Sequence, residues 1–296
     1  MKIFIVGSIN MDLVIKSPVM PENGVTLTGS DFMTNPGGKG ANQAVAVAKL
    51  GGESYMVGCV GEAFGRDLIE TLDGYNVNTK YVRKEIGVSS GIAVIIVVDG
   101  DNRIILDAGS NAKVDNKIVD LALKEASEGD YLICQLEIPQ ETVKYAFMKA
   151  KELGMNTILN PAPAATLIDG ILENTDYFIP NENEAFKYTG IKPDTKERQI
   201  ECINAILSKG VKNAIITLGT EGSCTVDGVE YIHVDSYKVD AIDTTAAGDT
   251  FIGAFTVELS KGKSLKEAMD FASKASSITV TRRGAQKSIP YRNELE

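Results

Sequence analysis

The chain has 296 residues and is 44% hydrophobic, enough apolar surface for a substantial core in one large α/β domain or two small ones. Its 30 Lys and Arg against 40 Asp and Glu give a formal net charge of -10, which repels nucleic acid and anionic membranes at long range, so any bound phosphate must be held by local donors. No apolar run reaches the roughly 18 residues of a spanning helix. The start Met1-Lys2-Ile3-Phe4-Ile5-Val6-Gly7 reads as a strand rather than a targeting segment, so the expected location is cytoplasmic.

Along the chain, apolar runs of strand length alternate with amphipathic stretches of helix length. Strand patterns at 3–6 and 55–59 flank a helix at 38–50, and another helix follows at 65–72. The rhythm resumes with strands at 131–134, 157–159, 177–179 and 214–218, helices at 140–153 and 196–207, and closing helices at about 246–259 and 265–280. This pattern predicts an α/β fold, a largely parallel sheet with helices on both faces and ligands at the carboxyl ends of its strands. Segments 12–35 and 88–107 break the rhythm with β-formers and turns. Gly100-Asp101-Asn102 predicts a hairpin between strands at 92–98 and 103–106, and the two segments together read as a discontinuous β lid on a single domain, 1–296. Cys59, Cys134, Cys202 and Cys224 have no close spacing and are expected to be buried thiols of a reducing compartment. His233, the one histidine, sits in a strand pattern, which leaves no central role for histidine chemistry.

The densest chemistry lies in Asp243-Thr-Thr-Ala-Ala-Gly-Asp249-Thr-Phe-Ile-Gly-Ala-Phe255, where small residues run into an apolar helix with a carboxylate at the junction. The amides of Ala246, Ala247 and Gly248 would emerge at a helix N-terminus, which favours an anion. Asp249 has the wrong charge to bind that anion but could take a proton from an attacking hydroxyl. Its plainer reading is a first-turn carboxylate that complements the helix dipole. Gly37-Gly38-Lys39-Gly40 is not a P-loop, because Gly40 stands where Ser or Thr is required. Asn181-Glu-Asn-Glu184 reads equally as a helix cap with an acidic first turn. Asp12 reads as a strand-end turn residue and Glu137 as a loop glutamate.

These segments resemble the ribokinase (PfkB-type) family of carbohydrate kinases, whose signatures are a D-T-x-x-A/G-G-D element and an N-terminal G-G-K-G-A-N element, here Gly37-Gly38-Lys39-Gly40-Ala41-Asn42. Ser8-Ile9-Asn10-Met11-Asp12, Gln135-Leu136-Glu137, Asn160-Pro161-Ala162-Pro163-Ala164, Pro180 to Glu184, Thr217 to Gly222 and Thr281 to Gln286 match further family segments in order, so the resemblance runs from about Ile3 to Pro290. It implies ATP-dependent phosphorylation of D-ribose to D-ribose 5-phosphate. Asp249 would be the base, and Ala246, Ala247 and Gly248 the anion hole. Asn10, Asp12, Gly38, Lys39, Gly40, Asn42 and Glu137 would hold the sugar, with Asp12 accepting from two vicinal hydroxyls. Asn181, Thr217, Gly219, Thr220, Glu221, Gly222, Gly248 and Ser273 would meet the nucleotide, although several family members have histidine where Ser273 stands.

The resemblance further implies Mg²⁺ held through water near Glu184, and a monovalent cation, usually K⁺, at Asp243, Thr245, Thr279, Arg282, Gly284 and Ser288. A homodimer formed through the lid is also implied. A kinase of the same fold acting on deoxyribose, fructose or adenosine remains open, because substrate choice lives in lid side chains that motifs do not fix. A non-catalytic sugar or nucleotide sensor would be expected to lack Asp249 or the anion hole. A dinucleotide-dependent dehydrogenase lacks support, since no G-x-G-x-x-G opens the first helix.

Overall fold

Strand β1 (Lys2–Val6) turns Ile3 and Ile5 to one side and Phe4 and Val6 to the other, and all four are buried. A strand buried on both faces belongs at the centre of a sheet with a helical layer on each side. A computed structural model describing residues 1–99 and 101–295 has this arrangement. In chain order the strands are β1, β2 (Asn10–Lys16), β3 (Ser30–Gly37), β4 (Glu53–Val60), β5 (Asn78–Lys84), β6 (Gly91–Val98), β7 (Asp101–Asp107), β8 (Tyr131–Cys134), β9 (Asn156–Leu159), β10 (Tyr177–Phe178), β11 (Asn213–Thr217), β12 (Ser223–Asp227) and β13 (Glu230–Val234). The helices are α1 (Lys39–Lys49), α2 (Gly65–Gly74), α3 (Asn116–Leu123), α4 (Gln140–Glu152), α5 (Glu182–Thr189), α6 (Lys196–Leu207), α7 (Ala247–Ser260) and α8 (Leu265–Val280).

The larger sheet has nine strands in the order β13-β12-β11-β10-β9-β8-β1-β4-β5. Strands β11 to β5 in that order pair in parallel, and the hairpin β12-β13 adds an antiparallel edge. Ile3 and Ile5 pack in one apolar cluster with residues of α1, α2, α7 and α8. Phe4 and Val6 pack in a second with residues of α3, α4, α5 and α6. The four cysteines are buried and free, Cys202 on α6 and the others on strands.

A separate four-stranded sheet, β3-β2-β6-β7, is built from the two segments that broke the α/β rhythm. Its strands start earlier than the sequence pattern suggests, at Asn10 and Asp101, and no strand runs between 17 and 29. Gly100 of the expected hairpin turn lies outside the described residues. The edge strand β5 carries little apolar patterning, because an edge strand meets solvent along one side. The carboxyl ends of β1, β8, β9, β10 and β11 all open on one rim, and Ser8, Glu137, Asn160, Asn181 and Thr217 stand at those ends.

Candidate active site

Helix α7 begins at a left-handed N-cap, Ala246, with φ 63°. That conformation is uncommon for a residue with a Cβ and turns successive amides toward one point. The amides of Ala246 and Gly248 have no partner among the described residues, while that of Ala247 donates to the Thr244 carbonyl at 3.2 Å. A Cβ on Gly248 would meet no atom within 4 Å, so the space over this first turn is open.

Asp249, in the same turn, is only 8% exposed. Its two oxygens accept from Asn42 Nδ2 and Gln43 Nε2, each at 2.9 Å. These amides reach it because α1 and α7 cross closely: a Cβ on Gly253 would lie 2.5 Å from Ala46 Cβ. Asp249 does sit in the helix's first turn, as its plainer reading required, but two buried side chains hold it there.

Toward the small sheet, Gly38 has φ 90°, and a Cβ there would lie 2.7 Å from the Asn10 amide nitrogen. At Gly40 it would lie 2.6 Å from the Ser8 nitrogen. Both glycines therefore let the start of α1 lie against the turn after β1, a packing need that the sequence reading did not assign to them. Glu137 Oε2 accepts from Ser8 Oγ at 2.6 Å and from the Lys39 amide at 3.4 Å. Asn10 Nδ2 lies 3.5 Å from the same oxygen, and Asn10 Oδ1 accepts from Asn111 Nδ2 at 2.6 Å. The Asp12 carboxylate has no donor among the described residues. Burial, with Glu137 and Asp249 nearby, pushes its pKa up to about 7. Asn42 Oδ1 is buried without a partner.

On the other side of Asp249 lies a cleft of about 210 Å³ lined by Lys39, Asn181, Glu184, Thr217 and the start of α7. Burial lowers the Lys39 pKa, but the surrounding Asp249, Glu137 and Glu184 outweigh it and raise it above the ordinary lysine value. Asn181 and Glu184 form a reciprocal cap on α5, with 2.8 Å bonds between each side chain and the other's amide. The helix-cap reading of this pair is thus correct, and Glu184 also lines the cleft. Burial raises the Glu184 pKa despite the Asn181 amide and Lys39. Among the described residues no cluster of three or more His, Cys, Asp or Glu could hold a metal. A hard cation here would keep waters and phosphate oxygens as most of its ligands, a pattern that suits Mg²⁺. Gly219, Thr220 and Glu221 form a short 3-10 turn ending at Gly222, and Ser273 is buried on α8; none of these lines the cleft.

Beside α7, Asp243 accepts from the Thr245 amide and hydroxyl at 2.9 and 2.6 Å and from the Gly284 amide at 3.0 Å. Burial pushes its carboxyl up, but these bonds win and hold it below the usual carboxylate range. The Ile242 and Asp243 amides donate to the Val280 carbonyl, which brings Thr279 alongside. Arg282 pairs with Glu294, and Ser288 Oγ donates to the Ala285 carbonyl at 2.7 Å. Asp243, Thr245 and Gly284 thus meet, while the side chains of Thr279, Arg282 and Ser288 are engaged with other protein groups. His233 sits half-buried on β13, away from the cleft. Sequence reasoning assigned no role to Gln43, Asn160 or Asn111; for the first two the only signal was adjacency to Asn42 and position at a strand end.

Residues 1–292 match the pfkB family of carbohydrate kinases, and the chain belongs to that family. It is an ATP-dependent sugar phosphotransferase. Over 99% of its length it is similar to the ribokinase of Schizosaccharomyces pombe, 42% identical over 307 residues and covering 96% of that protein. It is also similar to the deoxyribokinase of Salmonella typhi, 35% identical over 293 residues, 98% of this chain and 96% of that one. The solved structure of Arabidopsis thaliana ribokinase complexed with ribose and ATP matches with a TM-score of 0.93 at 33% identity, covering 99% of this chain and 97% of that one. No helix among the described residues is long and apolar enough to cross a membrane.

Proposed function

We propose that the chain is a ribokinase, moving the γ-phosphoryl group of ATP to the 5-hydroxyl of D-ribose. The observation that carries this reading is the place of Asp249: buried at an open helix N-terminus, between the donor-free carboxylate of Asp12 and the cleft lined by Lys39 and Glu184. Asp12 accepts from two vicinal ribose hydroxyls, Asn42 Oδ1 from a third, and Glu137 and the glycine backbone at 38–40 close the sugar pocket. Asp249 takes the O5 proton as O5 attacks the γ-phosphorus and the bond to the β-bridging oxygen breaks, releasing ADP. Amides at the start of α7 and the Lys39 ammonium stabilise the charge on the transferring group. Asn181, Thr217 and the turn 219–222 border the nucleotide. Mg²⁺, held through water by Glu184, would neutralise phosphate charge. A monovalent cation at the Asp243–Gly284 loop would order the start of α7.

The small sheet acts as a lid and as a dimer contact. Its strand β7 is exposed along its whole length, with Ile105 68% exposed and Phe32 of β3 65% exposed. Apolar surface of this extent on an edge strand calls for a partner, and a second copy supplies a matching one.

Similarity to a deoxyribokinase keeps 2-deoxy-D-ribose as a second reading. Initial rates of ADP release with MgATP and K⁺ on D-ribose, 2-deoxy-D-ribose, D-fructose and adenosine test the proposal. Ribose should give the highest kcat/KM, and preference for any of the others overturns the substrate while leaving the kinase class intact.

A further inference from the structure

The buried amides behind Asp249 form a chain of fixed polarity. Asn160 Nδ2 donates to the Ile179 carbonyl at 3.3 Å, which leaves Asn160 Oδ1 as an acceptor. Gln43 Nε2 donates to that oxygen at 3.2 Å and to Asp249 Oδ1 at 2.9 Å. Gln43 Oε1 in turn accepts from Gln135 Nε2 at 2.6 Å. A backbone carbonyl can only accept, so Ile179 sets the direction of the whole chain. Gln43 and Gln135 are fully buried and Asn160 nearly so. The far oxygen of Gln135 has no donor and rests against Gly7, where a Cβ would come within 2.1 Å of it. Leaving a buried acceptor unpaired is costly, and an apolar side chain of the same shape at 135 would avoid that cost.

We infer that Gln43 is a positioning residue for Asp249, and that Gln135 and Asn160 decide which end of its amide faces that carboxylate. The inference rests on Asp249 being the proton acceptor proposed above. A donor aimed at Oδ1, with Asn42 on Oδ2, pins both oxygens and leaves each one lone pair for the substrate proton. A turned amide would present an oxygen instead, favouring the protonated carboxyl, which cannot act as a base. The charged groups facing Asp249 are Lys39 from the same helix as Gln43, Asp12 from β2 and Glu184 from α5.

The test is single-turnover phosphoryl transfer to ribose from MgATP across pH, with ribose affinity measured separately, in Gln43→Met, Gln43→Glu and Asp249→Asn. In Gln43→Met the loss of the donor should slow transfer about 10- to 100-fold, the weight of one bond to a charged group, and move the acid limb to higher pH. Ribose affinity should stay within about threefold, since Gln43 does not meet the sugar. Gln43→Glu keeps the shape but makes a carboxyl pair with Asp249, so its rate should fall as pH rises through a range where the wild-type rate is level. It also decides the matter if Gln43→Met fails to fold. Rates within about twofold of wild type with unmoved pH profiles, or a pH-independent loss matched by lost ribose affinity, overturn the inference. If Asp249→Asn itself retains transfer, the base assignment and this inference fall together; if it loses transfer while both Gln43 variants behave as wild type, only this inference falls.

Discussion

Asn42 donates to Asp249 across 2.9 Å although the two stand 207 residues apart in the chain. The contact joins the helix that follows the glycine-rich turn to the helix that carries the proposed base, so the proposed sugar pocket and phosphoryl-transfer point share one helix crossing. Because Asn42 Oδ1 stays buried and unpaired, that side chain is also placed to take a hydroxyl hydrogen bond.

Asp249→Asn is expected to fold and to bind ribose nearly normally, with kcat lower by about 10² to 10⁴, the usual weight of a positioned general base. Steady-state kinetics combined with calorimetric ribose binding check this. A variant with kcat within a few-fold of wild type would return Asp249 to a dipole-complementing role.

With Asp12 in the proposed sugar pocket, ribose binding is expected to depend on pH. Its pKa is raised from 3.8 to about 7, first by burial and then by Glu137 and Asp249. The folded chain thus holds the Asp12 proton more tightly than the unfolded chain does. The stability this contributes is full below the unfolded value of 3.8 and is lost as pH rises through about 7. Only the carboxylate accepts from both hydroxyls, so KM for ribose should fall as pH rises toward that value, approaching about tenfold per unit well below it, and then level off. Asp12→Asn should flatten this dependence; a wild-type KM that stays level from about one unit below that value to about one unit above it would remove Asp12 from the pocket.

If Asp12 accepts from two vicinal hydroxyls as proposed, removing one leaves part of a half-buried carboxylate unsatisfied, at a cost of about 1–3 kcal/mol. D-ribose should therefore be preferred over 2-deoxy-D-ribose by roughly tenfold or more in kcat/KM, and Asp12→Ala should erode the preference. Equal preference in both proteins would show that the discriminating group lies elsewhere.

The bond from Gly284 to Asp243 at 3.0 Å closes the loop beside α7. A cation bound there acts by coordination, so K⁺ should stimulate phosphorylation well above choline at matched ionic strength. Asp243→Ala should abolish the difference. Equal rates in the two salts would remove the monovalent site.

Ile105→Lys places a charge in the exposed apolar strand β7 and should convert a dimer into a monomer, measured by light scattering coupled to gel filtration. A wild-type protein that runs as a monomer at micromolar concentration would refute the lid contact.

Much of this molecule could be read locally. Continuous apolar runs of strand length between amphipathic stretches of helix length announced a parallel sheet with two helical layers, because strands such as β1 bury both faces and cannot hide that in their composition. Asn181 and Glu184, three residues apart, announced their own cap. The edge strand β5 escaped because it meets solvent along one side, where polar residues cost little, and β12 escaped because its buried Ser223, Cys224 and Thr225 are small and mostly polar.

The sequence by itself determined the class of fold and the chemical types at the site: an acid at a helix start, glycines and a lysine opening another helix, and a glutamate at a strand end. Only the tertiary structure decided the state of those groups. That Asp249 is held by two amides, that Asp12 has no donor among the described residues, and that Gln43 faces Asp249 with its nitrogen all depend on what the crossing of α1 and α7 and the rim of the sheet bring near. Burial and hydrogen-bond polarity are properties of neighbours, and here the neighbours come from opposite ends of the chain.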